Sequence, residues 1–79
     1  MMTLQIYSPE ETLVETTVES VTLPGVLGSF QVLKGHAALI SALEKGTVRY
    51  VSGGETHTLE IASGFVKVED DEIAVCVEK

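Results

Sequence analysis

Residues 48–61, VRYVSGGETHTLEI, decide the fold class because they join two strand-like patterns through a very short turn. Gly53 and Gly54 can both adopt the positive φ angles that a two-residue hairpin turn of the primed type demands. Residues 48–51 precede this pair and residues 56–61 follow it, with apolar and polar side chains alternating along the second strand. The segment therefore predicts an antiparallel β-hairpin.

The same period of two recurs on both sides of this hairpin. Leu4 and Ile6 alternate with polar residues near the start of the chain, and Val66 and Val68 do so after the hairpin. Turn-forming sequences separate these patterns, at residues 8–11, 23–26, 52–55 and 69–72. Short strands joined by frequent turns predict an all-β fold, a flattened β-sandwich or barrel of mainly antiparallel strands.

Two segments leave the strand pattern ambiguous. The apolar phase shifts by one residue between Val18 and Val21, which either a β-bulge or a strand passing from one sheet to the other would produce. Residues 36–44 contain several helix formers between two glycines, and so short a run would be a marginal helix on its own. The residues alone do not choose between these possibilities.

The last strand is apolar on both faces. Ile73, Val75 and Val77 lie on one side, while Ala74 and Cys76 make the other side apolar as well. Something should therefore cover both sides, either a second sheet layer or loop of the same chain, or a partner protein. We expect Cys76 to be a small buried hydrophobe rather than a nucleophile.

Size and charge exclude several classes of protein. A chain of 79 residues is one small domain with a thin core, and five basic against twelve acidic residues give a net charge of −7. Such a surface repels nucleic acid and anionic lipid, so neither is an expected partner. A single cysteine, no long apolar run and no signal sequence predict a soluble cytoplasmic protein without membrane insertion.

The sequence contains no motif for catalysis, metal or nucleotide binding. His36, His57 and Cys76 lie too far apart for a usual zinc site, and the glycines match neither a P-loop nor a dinucleotide fingerprint. No nucleophile elbow surrounds a serine, and the acidic run at residues 69–72 lacks the spacing of a calcium loop. We expect no cofactor, a solvated turn at residues 69–72, and either a local hydrogen-bonding or an interface role for His36.

Several short motifs follow one another in a fixed order from about Met2 to Glu78. They are the opening strand and turn at 4–10, the strand ending in Pro-Gly at 18–25, GSFQVLKGHAAL at 28–39, GTVR at 46–49 and SGFVKV at 63–68. Each motif is weak alone, but the ordered set is specific. The chain closely resembles the amino-terminal domain of the epsilon subunit of F-type ATP synthases.

The resemblance implies a flattened β-sandwich of about ten short strands, with residues 35–43 entering a strand and not a helix. It implies a non-catalytic subunit of the rotating central stalk, which binds subunit gamma and contacts the c-ring. Such a subunit helps to couple proton flow to ATP synthesis at the cytoplasmic face of the cell membrane. The implied gamma interface contains Ser8, His36 and Ser41, and the implied c-ring-facing loop contains Gly28, Ser29 and Phe30.

The sequence departs from the family pattern at the turn before His36. Lys34 and Ala38 stand where many relatives have proline, and Gln31 where many have glycine, so we expect the geometry of this turn to deviate. Residues 1–79 would form the sandwich domain, and the helical hairpin of longer relatives is absent from this sequence. The alternative is a lipoyl- or biotinyl-like carrier domain with Lys45 as the modified residue, although the usual apex motif and two-fold repeat are missing.

Overall fold

The computed structural model describes residues 2–78, which form nine strands. These are β1 (Met2–Tyr7), β2 (Thr12–Val18), β3 (Ser20–Gly25), β4 (Gly28–Leu33), β5 (Leu39–Leu43), β6 (Gly46–Ser52), β7 (Glu55–Ile61), β8 (Ser63–Glu69) and β9 (Glu72–Glu78). The predicted all-β class is confirmed, with nine strands in the described residues where about ten were expected. Residues 39–43 form a strand, as the family resemblance implied.

The strands form one curled sheet in the order β2-β1-β9-β8-β5-β3-β6-β7, with β4 paired to β3. Neighbours pair antiparallel except β1 and β9, which are parallel. The curl brings β2 against β6, where the Ser52 hydroxyl donates to the Thr17 carbonyl over 2.7 Å. The Glu19 amide also donates to the Val51 carbonyl over 2.8 Å, so the two halves of the sheet face each other as a sandwich.

The phase shift between Val18 and Val21 has a simple structural cause. β2 ends at Val18 and pairs with β1, whereas β3 begins at Ser20 and pairs with β4 and β6. The chain therefore crosses from one half of the sandwich to the other at Glu19, which is the second of the two alternatives that the sequence left open.

Alternation along the strands directs one set of side chains into a single core. β1 and β9 both alternate strictly between buried and more exposed positions. Leu4, Ile6, Leu23, Val48 and Val75 have no exposed surface at all. The core is built from aliphatic residues, most of them β-branched, as the composition led us to expect.

The predicted hairpin at residues 48–61 is confirmed. β6 and β7 pair from Gly46 opposite Ile61 to Ser52 opposite Glu55. Gly53 and Gly54 turn the chain with φ angles of 60° and 80°, the left-handed region that the primed turn requires.

The acidic turn between β8 and β9 uses the same left-handed geometry without glycine. Asp70 and Asp71 have φ angles of 50° and 61°, which few residues other than glycine, asparagine and aspartate adopt. Glu69 and Glu72 lie directly opposite each other at its base, so like charges add to the backbone cost. The predicted exposed turn is confirmed for Asp70, while Asp71 is half-buried.

Replacing Asp70 with asparagine is expected to stabilise the domain by about 0.5 kcal/mol. The change removes one of the four negative charges at residues 69–72, where like charges that face each other cost roughly 0.2–1 kcal/mol. Asparagine also tolerates the left-handed region. Urea unfolding followed by circular dichroism would measure the change. Glu55→Gln is the matched control, because it removes one negative charge beside the Gly53–Gly54 turn, where the backbone is already relaxed. Equal changes in the free energy of unfolding for Asp70→Asn and Glu55→Gln would contradict an explanation specific to the turn at residues 69–72.

Candidate functional site

One outward face of the sheet is built from β1, β9, β8 and β5, which lie side by side. Tyr7 pairs with Cys76, which pairs in turn with Phe65. Ile40 and Ala74 line the same shallow surface recess as these three residues. All of them alternate with core residues, so they point away from the core. We call this set the apolar outer face: Tyr7, Ile40, Phe65, Ala74 and Cys76.

Large side chains of the apolar outer face are exposed to solvent. Ile40 is 76% exposed, Phe65 64% and Tyr7 37%. Isolated exposed apolar residues are ordinary, but a contiguous group that includes two aromatic rings is typical of an interaction surface.

Of the two alternatives for covering the outward side of β9, a layer of the same chain is not found within residues 2–78. Ala74 and Cys76 are half-buried by their neighbours in the sheet, and no second layer of the described chain packs over them. Cys76 is therefore less buried than predicted. Its side chain belongs to the apolar outer face instead of the core, because it is out of phase with Val75 and Val77.

Ser8 organises the turn that connects β1 to β2. Its hydroxyl oxygen accepts hydrogen bonds from the backbone amides of Glu10 and Glu11, at 3.3 and 3.2 Å. The Ser8 amide donates to the Glu11 carbonyl over 2.8 Å, which closes the turn. The side chain thus has a local structural task, and it directly follows Tyr7 of the apolar outer face.

His36 lies in the exposed connection between β4 and β5. Its Nδ1 is 2.7 Å from the Ala37 carbonyl, so the ring forms a local hydrogen bond. The backbone around it is held in place, because its amide donates to the Leu33 carbonyl over 3.0 Å and the Gly35 amide donates to Asp71 Oδ1 over 3.0 Å. The turn closes with Gly35 at a φ of 82°.

The structure does not bring the three predicted gamma-facing residues together. Ser8 shares a recess with Glu78 at the end of β9, whereas the His36 connection is tied to Asp71 just before β9. A seven-residue strand spans about 20 Å, so Ser8 and His36 lie at opposite ends of the apolar outer face. Ser41 lies on β5 next to Ile40 but points to the opposite side of the sheet.

Ser41 is half-buried, and its hydroxyl donates to the Ala42 carbonyl over 3.2 Å. It lines a second recess between β5 and the β3–β4 turn, together with Leu27, Phe30 and Leu39. Ser41 therefore faces this recess and is not part of the apolar outer face.

The predicted c-ring-facing loop requires a correction. Gly28, Ser29 and Phe30 are the first residues of β4, paired with β3, and do not form a loop. The turn itself consists of Val26 and Leu27, which are 50% and 100% exposed. Pairing continues to the Gly25–Gly28 pair, so only two residues remain outside the strands. The apex of this end of the sandwich is thus an exposed apolar pair.

Sequence reasoning missed the residues that make these surfaces apolar. Tyr7, Phe65 and Ile40 are out of phase with the buried residues of their own strands, and this phase was visible in the sequence next to Ile6 and Val66. The turn predicted at residues 23–26 lies at Val26 and Leu27 instead, because Pro24 and Gly25 belong to β3, and an apolar pair is unusual in a turn. The sequence signal for such a surface is an apolar residue at a position where strand alternation or a turn predicts a polar one.

The described residues contain no group of histidine, cysteine and acidic side chains that could hold a metal ion. His57 stacks on Tyr50 with ring centroids 5.2 Å apart, far from any second soft ligand in residues 2–78. No helix long and apolar enough to cross a membrane occurs in that range. The apolar outer face can bind another protein through apolar contact.

Comparison with known proteins identifies the family. All of residues 1–79 match the family described as ATP synthase, Delta/Epsilon chain, beta-sandwich domain. The chain is 37% identical over 76 residues to the ATP synthase epsilon chain of Magnetococcus marinus, covering 96% of this chain and 56% of that protein. It is 36% identical to the epsilon chain of a Cyanothece species, covering 96% and 55%. The chain thus spans about half the length of these relatives.

Two solved assemblies contain chains with the same fold. A chain of the Tetrahymena thermophila mitochondrial ATP synthase central stalk and c-ring superposes with a TM-score of 0.83 at 14% identity, covering 99% of this chain and 63% of that one. A chain of the Euglena gracilis mitochondrial ATP synthase gives a TM-score of 0.91 at 23% identity, covering 99% and 51%. The family match favours this relationship over a carrier domain modified at Lys45, which is exposed between β5 and β6. The chain belongs to the beta-sandwich domain family of ATP synthase delta and epsilon chains.

Proposed function

We propose that the chain acts as a non-catalytic subunit domain of the central stalk of a proton-translocating F-type ATP synthase. In this role it binds subunit gamma, contacts the c-ring and helps to couple ion flow to ATP synthesis. It is held at the cytoplasmic face of the cell membrane by these partners. Membership of the epsilon family supports the proposal, as does the shared fold with chains of a central stalk and c-ring assembly.

The single observation that carries the proposal is the exposure of the apolar outer face. Burial of the remaining exposed surface by a partner would contribute roughly 1–2 kcal/mol each for Phe65 and Ile40 and less for Tyr7, and aromatic anchors dominate the energy of many interfaces. A protein partner accounts for why apolar side chains occupy the outward phase of four neighbouring strands.

The proposed gamma interface runs along the apolar outer face between its two ends. Ser8 lies at one end, in the turn after Tyr7, and His36 lies at the other end, in the connection before Ile40. Their separation of about 20 Å suits an extended contact with one long element, because interfaces of ordinary size span this distance. Ser41 would join such a contact through the neighbouring recess.

The proposed c-ring contact lies at the end of the sandwich formed by the β3–β4 turn. Gly28, Ser29 and Phe30 begin β4 there, and the fully exposed Leu27 forms the apex beside them. Residues 20–33 contain no charged side chain, so this end can approach a neutral protein surface without desolvating an ion.

Phe65→Asp is expected to weaken binding to purified gamma by about 30-fold or more, because loss of a central aromatic anchor commonly costs 2 kcal/mol or above. Isothermal titration calorimetry or biolayer interferometry would give the dissociation constant. Leu33→Asp is the matched control: Leu33 is 51% exposed but lies on β4, outside the apolar outer face.

The proposal predicts that Leu33→Asp binds gamma as the unchanged chain does, and that His36→Ala weakens binding less than Phe65→Asp. Circular dichroism should give the same spectrum for all variants, since each substitution replaces an exposed side chain. Undiminished binding of gamma by folded Phe65→Asp would rule out the apolar outer face as the interface. Failure of the unchanged chain to bind gamma at micromolar concentration would refute the proposed function.

A further inference from the structure

Carboxylates stand at both ends of the apolar outer face. Along β9, alternation directs Glu72, Ala74, Cys76 and Glu78 to the same outward side, while the residues between them are buried. The outward side of this one strand therefore reads acidic, apolar, apolar, acidic. Both glutamates are exposed.

The other strands extend this arrangement at the two ends. Glu69 of β8 lies directly opposite Glu72, and the turn beyond them contains Asp70 and Asp71. At the other end, Glu78 shares a recess with Glu10 and Glu11 of the β1–β2 turn. Negative charge thus accumulates at each end of the face, and none of the five residues of the face itself is charged; Glu15 lies to one side, on β2, paired with Gln5 next to Ala74.

Two described lysines lie near the face: Lys67 on β8, and Lys34 in the β4–β5 connection, next to Gly35, whose amide donates to Asp71. Lys67 lies on β8 with its Nζ 3.9 Å from Glu69 Oε1, and both side chains are 61% exposed. Lys67 offsets part of the charge of Glu69, and an exposed pair of this kind holds its partners only weakly. Within residues 2–78, neither Glu72 nor Glu78 forms an ion pair, so both carboxylates can contact a partner at the rim.

We infer that the segment of gamma that docks on the apolar outer face carries an apolar stripe with a Lys or Arg side chain at each end. This inference rests on the proposed function. Glu72 and Glu78 are six positions apart on one strand, so the two basic groups should be about 20 Å apart. In an α-helix this distance corresponds to about 13 residues.

Apolar burial and electrostatic attraction would have different effects in this interface. Apolar burial at the centre supplies affinity, while the charged rim fixes the direction of the partner along the face and speeds its approach. If the ends of the partner were acidic or uncharged, the carboxylates of Glu72 and Glu78 would lie near a desolvated surface without a positive charge to pair with, which is unfavourable. A partner of the stated pattern satisfies both parts of the surface.

The test reverses charge at both ends in the double variant Glu72→Lys, Glu78→Lys and measures association with purified gamma by stopped-flow or biolayer interferometry. The matched control is Glu55→Lys, Glu60→Lys, which changes the net charge by the same amount on β7, at the far end of the sheet order. Thermal unfolding of both variants checks that they fold as the unchanged chain does. Lysine at position 72 would face Glu69, so the first variant should not lose stability.

We expect the association rate constant of the unchanged chain to fall as salt rises from about 50 to 300 mM, since screening shortens the reach of rim charges. The Glu72→Lys, Glu78→Lys variant should associate roughly tenfold more slowly at low salt and lose this salt dependence. The β7 control should differ little from the unchanged chain. Equal slowing in both variants would overturn the inference, because it would show only a net-charge effect.

Binding of gamma that is insensitive both to salt and to Glu72→Lys, Glu78→Lys would also overturn the inference. In that case Phe65→Asp should still weaken binding, and the proposed function would stand without the charged rim. Absence of gamma binding by the unchanged chain would instead reject the proposed function itself. The two failures are therefore distinguishable in one set of measurements.

Discussion

Replacing Leu4 with alanine is expected to lower the free energy of unfolding by about 2–5 kcal/mol, the largest effect we predict for a single substitution. Leu4 has no exposed surface, and β1 holds it between β2 and β9. The lost side chain leaves a cavity that a rigid sheet cannot close. A domain of this length is stabilised by roughly 4–12 kcal/mol, so the variant should be close to unfolding.

Urea unfolding followed by far-ultraviolet circular dichroism measures this effect. Leu27→Ala is the control, because it makes the same chemical change at a side chain that is 100% exposed, and it should shift stability by no more than about 0.5 kcal/mol. Similar losses in both variants would contradict the packing argument. The comparison separates burial from residue type.

Gly64→Ala is expected to destabilise the domain by about 1–3 kcal/mol, through steric overlap and not through a cavity. A Cβ at this position would lie 2.5 Å from the Cys76 carbonyl oxygen and 3.3 Å from the Val77 Cα. Both atoms belong to the backbone of β9, which pairs with β8 on one side and β1 on the other. Relieving this overlap would therefore require β9 to move relative to both β8 and β1.

Thermal unfolding would report this change as a fall in midpoint of roughly 4–8 °C for each kcal/mol in a domain of this size. Ser63→Ala is the control, since it changes the exposed residue before Gly64 without adding an atom near β9. An unchanged midpoint for Gly64→Ala would mean that β8 can move away from β9 at little cost. The same shift would be expected to reposition Phe65, so gamma binding is worth measuring alongside.

Local features of the sequence predicted most of the strands. The Gly53–Gly54 pair defined the β6–β7 hairpin because paired glycines suit the primed turn whatever surrounds them, and alternation identified β1, β8 and β9 because the core selects one phase of each strand. Residues 36–44 could not be assigned from local preference alone, since their helix propensity competes with pairing to β8. The partner strand, which is remote in sequence, decides that competition.

The candidate site was predicted less completely than the fold. The apolar outward side of β9 was visible at Ala74 and Cys76, but whether the chain itself covered it depended on how the sheet curls. The family resemblance implied a loop at Gly28, Ser29 and Phe30, but pairing with β3 extends β4 to the edge of the turn. The roles of Ser8, His36 and Ser41 remain predictions that binding measurements can test.

By itself the sequence determined that this is a small, acidic, all-β domain without a catalytic or metal motif, because alternation, turn chemistry and charge are local properties. Only the tertiary structure decided that β1, β9, β8 and β5 lie side by side and place Tyr7, Phe65 and Ile40 on one exposed surface with carboxylates at its ends. The physical reason is that pairing of strands distant in the chain fixes which outward side chains become neighbours. Local sequence patterns do not encode the order of the strands, because the same alternating strands could pair in a different order and still bury the same residues.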